Sequence, residues 1–225
     1  MAINLSKGQK IDLRKESGEK LTNFCVGVNW GAIETVKKTL FGSKKVIEDV
    51  DLDLSCIMTD GQGNLVDYIY SPDYNGYLQK NNMPLGKLTS ADGALKHSGD
   101  DRKGDFEGDD GLDNEVIIVD LTRVAAKVEK IFFFINIYLN QGQTHDFSKI
   151  PYAKIRMYEG TSTKVNKVHS SFDIATDSSY TNKRAIIMGK LYKRNEDWKF
   201  DAIGEATEDK IFLQTIEAIK NTYAK

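Results

Sequence analysis

Half of the sixteen residues from Asp100 to Glu115 are carboxylates: Asp100, Asp101, Asp105, Glu107, Asp109, Asp110, Asp113 and Glu115. Gly99, Gly104, Gly108 and Gly111 are threaded among them, and only Arg102 and Lys103 oppose them in charge. The segment carries −6 while the chain's formal charge is −2, so the other 209 residues sum to +4. Like charges this close repel unless a cation sits among them, and glycines let the backbone turn carbonyls and carboxylates inward around one. Calcium takes about six to eight oxygens from carboxylates, carbonyls and water, whereas magnesium holds a strict octahedron and keeps its waters. Chemistry of this kind points to calcium. A second carboxylate pair precedes the loop. In Val50 to Thr59 the residues Val50, Leu52, Leu54, Cys56 and Met58 share one face of an alternating strand, and Asp51, Asp53 and Ser55 share the other. Ten carboxylates exceed what one calcium can use, so two ions are expected, with Asp51, Asp53, Asp100, Asp101, Asp109, Asp110, Asp113 and Glu115 as candidate ligands.

Other chemistries find little support. An EF-hand started at Asp105 puts Gly111 at position seven and Glu115 at position eleven, where the motif needs them at about six and twelve. The nucleophile elbow Gly-x-Ser-x-Gly, a Walker-type phosphate loop and His-Glu-x-x-His are all absent, and His97, His145 and His169 show no ligand spacing. The expectation is a protein that is not an enzyme, with a metal-dependent hydrolase using the carboxylates as the competing reading. His97, beside the acidic loop, suits a structural hydrogen-bond donor. The 31 basic and 33 acidic side chains nearly balance, which argues against nucleic acid as a partner. No apolar stretch approaches the roughly 20 residues of a bilayer span, so direct membrane insertion is not expected. Met1-Ala2-Ile3-Asn4 lacks the start of a signal peptide, which makes the cytoplasm the expected address. Cys25 and Cys56 lie in apolar stretches and suit reduced, buried thiols.

The elements that must position these groups read as mostly β. Strand-type runs occupy Lys10 to Leu13, Phe24 to Trp30, Val50 to Thr59, Leu65 to Tyr70, Val116 to Leu121, Ile131 to Leu139, Tyr152 to Tyr158, Lys167 to Ile174, Arg184 to Tyr192 and Trp198 to Ile203. Asp60-Gly61-Gln62-Gly63-Asn64 reads as a tight hairpin turn. In Ile131 to Leu139 the odd positions are apolar and Phe132 and Phe134 face the other way, which predicts a central strand covered on both faces. Phe212, Ile216, Ile219 and Tyr223 fall at helical spacing and predict an amphipathic C-terminal helix laid over the sheets. Ser71 to Ser90 and the basic segment Thr35 to Asp49 read as loops. The fold expected is an all-β sandwich of two mainly antiparallel sheets with a C-terminal helix and few short helices, one domain over residues 1–225.

Five stretches in order resemble a known family: Ile3-Asn4-Leu5-Ser6-Lys7-Gly8-Gln9, Cys25-Val26-Gly27-Val28-Asn29-Trp30, Val50-Asp51-Leu52-Asp53-Leu54-Ser55, His97-Ser98-Gly99-Asp100-Asp101-Arg102-Lys103-Gly104 with its continuation through Gly108-Asp109-Asp110 to Asn114-Glu115-Val116-Ile117, and Gly189 to Phe200. The pattern is similar to that of the TerD-type tellurium-resistance and stress-response proteins over nearly the whole chain. The resemblance implies a β-sandwich binding two calcium ions, found in bacterial stress clusters associated with resistance to tellurite, phage and colicins, with no established enzymatic activity. It also implies protein partners in a membrane-associated stress complex. By motif, Asp51 and Asp53 match the family's Asp-Leu-Asp strand, and Asp100, Asp101, Asp109, Asp110 and Glu115 match acidic or amide positions of its loop. The chain departs from the pattern in two places. Gly31 stands where the family commonly has aspartate after the strand tryptophan, and Gly111-Leu112-Asp113-Asn114 interrupts its Asp-Asp-Glu run. Either Asp109 and Asp110 or Asp113 and Asn114 can fill the paired positions. The alternative function is a calcium-dependent domain for a sugar or nucleotide ligand, which exposed tyrosines at 74 and 77 would favour.

Overall fold

The computed structural model describes residues 3–40, 42–140, 142–174, 178–195 and 197–225. Two six-stranded sheets face one another. The first orders β1 (Ile3–Asn4), β12 (Lys164–Ile174), β11 (Ala153–Thr161), β3 (Asn23–Trp30), β9 (Glu115–Asp120) and β8 (Leu95–His97). The second orders β2 (Lys10–Asp12), β14 (Asp197–Thr207), β13 (Ala185–Arg194), β10 (Lys130–Tyr138), β6 (Asp51–Thr59) and β7 (Leu65–Ile69). Every pair within the sheets is antiparallel except β1 with β12. The all-β sandwich read from alternation is the fold observed.

Alternation also decides which face each strand buries. Leu52, Leu54, Cys56 and Met58 of β6 join Ile131, Phe133, Ile135 and Ile137 of β10 in the core between the sheets. The opposite face of the second sheet is buried too: Ile57, Phe132 and Phe134 pack beneath Phe212 and Ile219 of the helix α2 (Phe212–Thr222). Because β6 and β10 pair in antiparallel register, Asp53 lies beside Asn136 and Asp51 beside Tyr138 on this helix-covered face. Asp60 makes the predicted turn, its Oδ1 accepting the backbone N–H groups of Gln62 and Asn64. Cys25 and Cys56 are buried free thiols, as expected.

Two segments read as loops carry structure. Within Thr35 to Asp49, β4 (Ile33–Thr39) and β5 (Gly42–Glu48) form a separate two-stranded ribbon; Phe41 lies outside the described residues. Lys37 stands opposite Lys44, and ion pairs Lys45–Glu34 at 2.5 Å and Lys37–Glu48 at 3.6 Å run along the ribbon. Most of its side chains are exposed, so the pattern offers no buried face to read. Within Ser71 to Ser90, a 3₁₀ turn at Pro72–Tyr74 runs into the short helix α1 (Asn75–Lys80). Ser71 caps that turn by accepting the Asp73 N–H.

Candidate metal centre

The acidic loop is the connection between the neighbouring antiparallel strands β8 and β9, at the end of the sandwich where β3 stops and β6 starts. Its backbone is sewn to β3: Asp105 N–H donates to Trp30 O, and Ala32 N–H donates to Asp105 O. Gly104 makes this approach possible, because at φ +70° a Cβ there would fall 2.5 Å from the Trp30 indole. That indole in turn donates to Val50 O at 2.8 Å and so ties the first sheet to the start of β6.

The carboxylates do not converge on one point. Asp51, Asp53 and Asp100 form one group and Asp105, Asp109 and Asp110 a second, each with one oxygen per residue within 4.8 Å of the others. In the first group Asp51 and Asp53 are buried, and Asp100 stands at the rim beside the Arg102 guanidinium, 2.9 Å away. Burial, then the charges of Asp53, Asp100 and Glu115, push the Asp51 carboxyl up to about 9. Asp53 is raised well above its usual range by burial first and by Glu115 next. The Tyr74 hydroxyl donates to Asp53 Oδ2, whereas the buried Asp51 Oδ1 has no hydrogen-bond partner among the described residues. A buried, unpartnered carboxylate oxygen facing like charges is a costly arrangement that a cation at this point would relieve.

The second group is more open. Asp105 is fixed by three donors: Asn29 Nδ2 at 3.2 Å, Asn114 Nδ2 at 3.1 Å and the Tyr152 hydroxyl at 2.9 Å. Asp109 and Asp110 are exposed and each accepts the backbone N–H two residues on, with Lys154 at 3.5 Å from Asp109. The buried Asn29 Oδ1 lacks a partner among the described residues. Gly31, where the resemblance expects aspartate, has no room for one: a Cβ would meet Tyr152 at 2.7 Å and Pro151 at 2.8 Å.

Three predicted residues lie outside both groups. Asp113 turns away to a buried ion pair with Arg156 Nε at 2.7 Å, lying over Gly27, where a Cβ would stand 2.1 Å from its Oδ2. Asp101 accepts from Lys103 N–H at 2.9 Å and from Asn114 Nδ2 at 3.2 Å. Glu115 accepts Leu54 N–H and Asp101 N–H, and its Oε2 lies 3.4 Å from His97 Nε2. His97 Nδ1 accepts Gly99 N–H, which places the ring proton on Nε2 toward Glu115, and burial holds the imidazole down to about 4, hence neutral. The Asp109 and Asp110 pair thus joins a carboxylate group, whereas Asp113 and Asn114 serve the scaffold. Sequence reasoning omitted Asp105, although it stands inside the acidic run, and nothing in spacing marks Tyr74.

The family model for the TerD domain matches residues 1–217. The chain belongs to the TerD domain family. Among curated TerD relatives, the stress response protein SCP2 of Bacillus subtilis (strain 168) is 31% identical over 213 residues, covering 93% of this chain and 94% of its own. Tellurium resistance protein TerD of Serratia marcescens is 31% identical, covering 91% of each chain. General stress protein 16U of Bacillus subtilis (strain 168) is 34% identical, covering 91% of this chain and 90% of its own. A solved homologue of telluride resistance protein (TerD) from Streptomyces coelicolor A3(2) superposes with a TM-score of 0.57 at 13% identity, covering 91% of this chain and 98% of that one. At that identity the likeness bears on the fold of the TerD domain alone. No helix among the described residues is long and apolar enough to cross a membrane.

Proposed function

We propose that this TerD-family protein is a calcium-binding stress-response module that works by binding and scaffolding rather than by catalysis. The observation that carries the reading is the buried Asp51, whose Oδ1 has no partner among the described residues while Asp53 and Asp100 crowd it. Asp51, Asp53 and Asp100 would hold one ion, and Asp105, Asp109 and Asp110 a second. Both sets are oxygen-only donors of the kind calcium takes, and neither includes a sulfur or imidazole. The ion supplies positive charge, and what the chain supplies is position: β6 fixes Asp51 and Asp53 on one face, and the β8–β9 connection brings Asp100 to them while gathering Asp105, Asp109 and Asp110 apart. Charge placed there would order the acidic loop as a surface for protein partners of a membrane-associated stress complex, with the protein itself in the cytoplasm.

Calorimetric titration of chelator-treated protein with calcium and with magnesium tests the reading. Two binding events with calcium strongly preferred are expected. A flat calcium titration, or equal affinity for magnesium, would overturn it.

A further inference from the structure

A pocket of about 200 Å³ opens beside the first carboxylate group, between α1, the end of β10 and the start of α2. Tyr74, Tyr77, Asn136, Tyr138, Ile211 and Phe212 line it. Its walls are aromatic: Tyr74 meets Tyr138 edge-on at 5.5 Å and lies 4.2 Å from Phe212 between ring centres. Asn136 is a buried polar group in this wall, 3% exposed, and its Oδ1 has no hydrogen-bond partner among the described residues.

The orientation of that amide follows from its neighbours. Thr215 has one hydroxyl proton and donates it to Asp209 Oδ2 at 3.0 Å, so toward Asn136 it acts as an acceptor. The Asn136 group facing Thr215, 3.0 Å away, must therefore be the NH₂, which leaves Oδ1 as an acceptor wanting a donor. Leaving a buried acceptor unmade is costly, and a ligand that brings a donor removes the cost.

We infer that this pocket is a binding site for a small neutral aromatic molecule carrying an N–H or O–H donor, seated against the tyrosines, with a slight parting of the wall bringing its donor to the covered Asn136 Oδ1. Drug-sized ligands occupy pockets of roughly 300–1,000 Å³, so the space here suits a single ring or a fused pair. Tyr77, 44% exposed, and Lys210 stand at its edge, and the ammonium disfavours a cationic ligand. The pocket is also linked to the carboxylates, because the Tyr74 ring is a wall and its hydroxyl donates to Asp53. A cation that fixes Asp53 also fixes Tyr74, so ion and aromatic ligand alter each other's affinity by the same factor. This linkage, unlike the pocket itself, rests on the calcium reading above.

Nuclear magnetic resonance titration of the chelated protein with indole and with phenol, followed by the backbone amides of Ile137, Tyr138 and Phe212, tests the site. Saturable shifts are expected, with benzene, which has no donor, binding about tenfold more weakly. Asn136→Leu should weaken indole about tenfold. Tyr77→Ala removes an exposed side chain, keeps the fold and should weaken indole as well. Repeating the titration in calcium should change the indole affinity in the unmodified protein, and not in Tyr74→Phe, which keeps the ring and loses the hydroxyl. Absence of saturable shifts, or shifts indifferent to both Asn136→Leu and Tyr77→Ala, overturns the pocket. Equal indole affinity with and without calcium, in protein that calorimetry shows to be loaded, overturns the linkage. If calorimetry shows no calcium binding, the calcium reading and the linkage fall, and the chelated titration still decides the pocket.

Discussion

Glu115 opens β9 in one sheet and Leu54 lies in β6 of the other, and the Glu115 carboxylate accepts the Leu54 backbone N–H at 2.7 Å. Its second oxygen accepts Asp101 N–H at 3.1 Å, so one side chain, 1% exposed, joins both sheets to the acidic loop. Glu115→Ala should strand two backbone donors and cost about 1–3 kcal/mol for each one left without a partner. Urea unfolding checks this, and an unchanged midpoint would mean that water replaces the carboxylate at no cost.

The pH dependence of the metal-free protein has a definite sign. Burial and neighbouring charges push Asp51 up to about 9, whereas an unfolded aspartate titrates near about 3.9. Between those values the folded chain keeps a proton that the unfolded chain releases, so stability falls as pH rises through this window. Chelated protein should melt higher at pH 5.5 than at pH 8, and calcium, taking the proton's place, should narrow the difference. Calcium affinity should in turn weaken toward acid. Chelated protein melting equally well or better at pH 8 would refute the buried-cluster account.

Calcium should raise the melting temperature in two separable parts. An ion at a hundredfold excess over Kd stabilises by about 2.7 kcal/mol, and each kcal/mol is worth roughly 2–4 °C in a chain of this size, so each site contributes on the order of 5–11 °C. Asp51→Asn with Asp53→Asn should remove one part and Asp109→Asn with Asp110→Asn the other. Melting curves in calcium and in chelator measure both. Loss of the whole rise from either pair would show a single coupled site.

Asp113 and Arg156 form a buried ion pair apart from both carboxylate groups. Burial outweighs the guanidinium and lifts the Asp113 carboxyl to about 6, so removing Arg156 leaves an uncompensated buried acid. Arg156→Met should cost about 3–5 kcal/mol, and adding Asp113→Leu should recover much of it. Calcium stoichiometry, read by calorimetry on the double variant, should stay that of the unmodified protein.

The sequence made ten strands legible as short β-prone runs, and alternation against a buried layer marks the clearest of them, as in Leu52 to Met58 and Ile131 to Ile137. It hid β4 and β5, whose Lys37 and Lys44 face each other in solvent, and the edge pieces β1 and β8, of two and three residues. The same rule governs the site. The shared face of Asp51 and Asp53 follows from alternation, but an irregular loop has no period to read. The fate of Asp113 is set by Arg156, 43 residues away. Tyr74, a mark of an exposed binding loop if read from sequence, is 8% exposed because its hydroxyl turns inward to Asp53, while Tyr77 remains in the open.

The strand order also sets a timetable for folding. Ile3 aligns with Ser170 and Asp12 with Lys199, while β3 takes its second neighbour from β11 and β6 from β10. Pairings this distant along the chain close slowly, on the order of milliseconds to seconds in small β domains. Ribosomes add about 5–20 residues per second, so β14 emerges on the order of five to twenty seconds after β9. Until β11 and then β13 emerge, the strands carrying Asp51, Asp53 and Glu115 exist while the edges of β3 and β10 stand open in turn, and open edges recruit other strands. The nascent first half of this protein is therefore the form most in need of a chaperone.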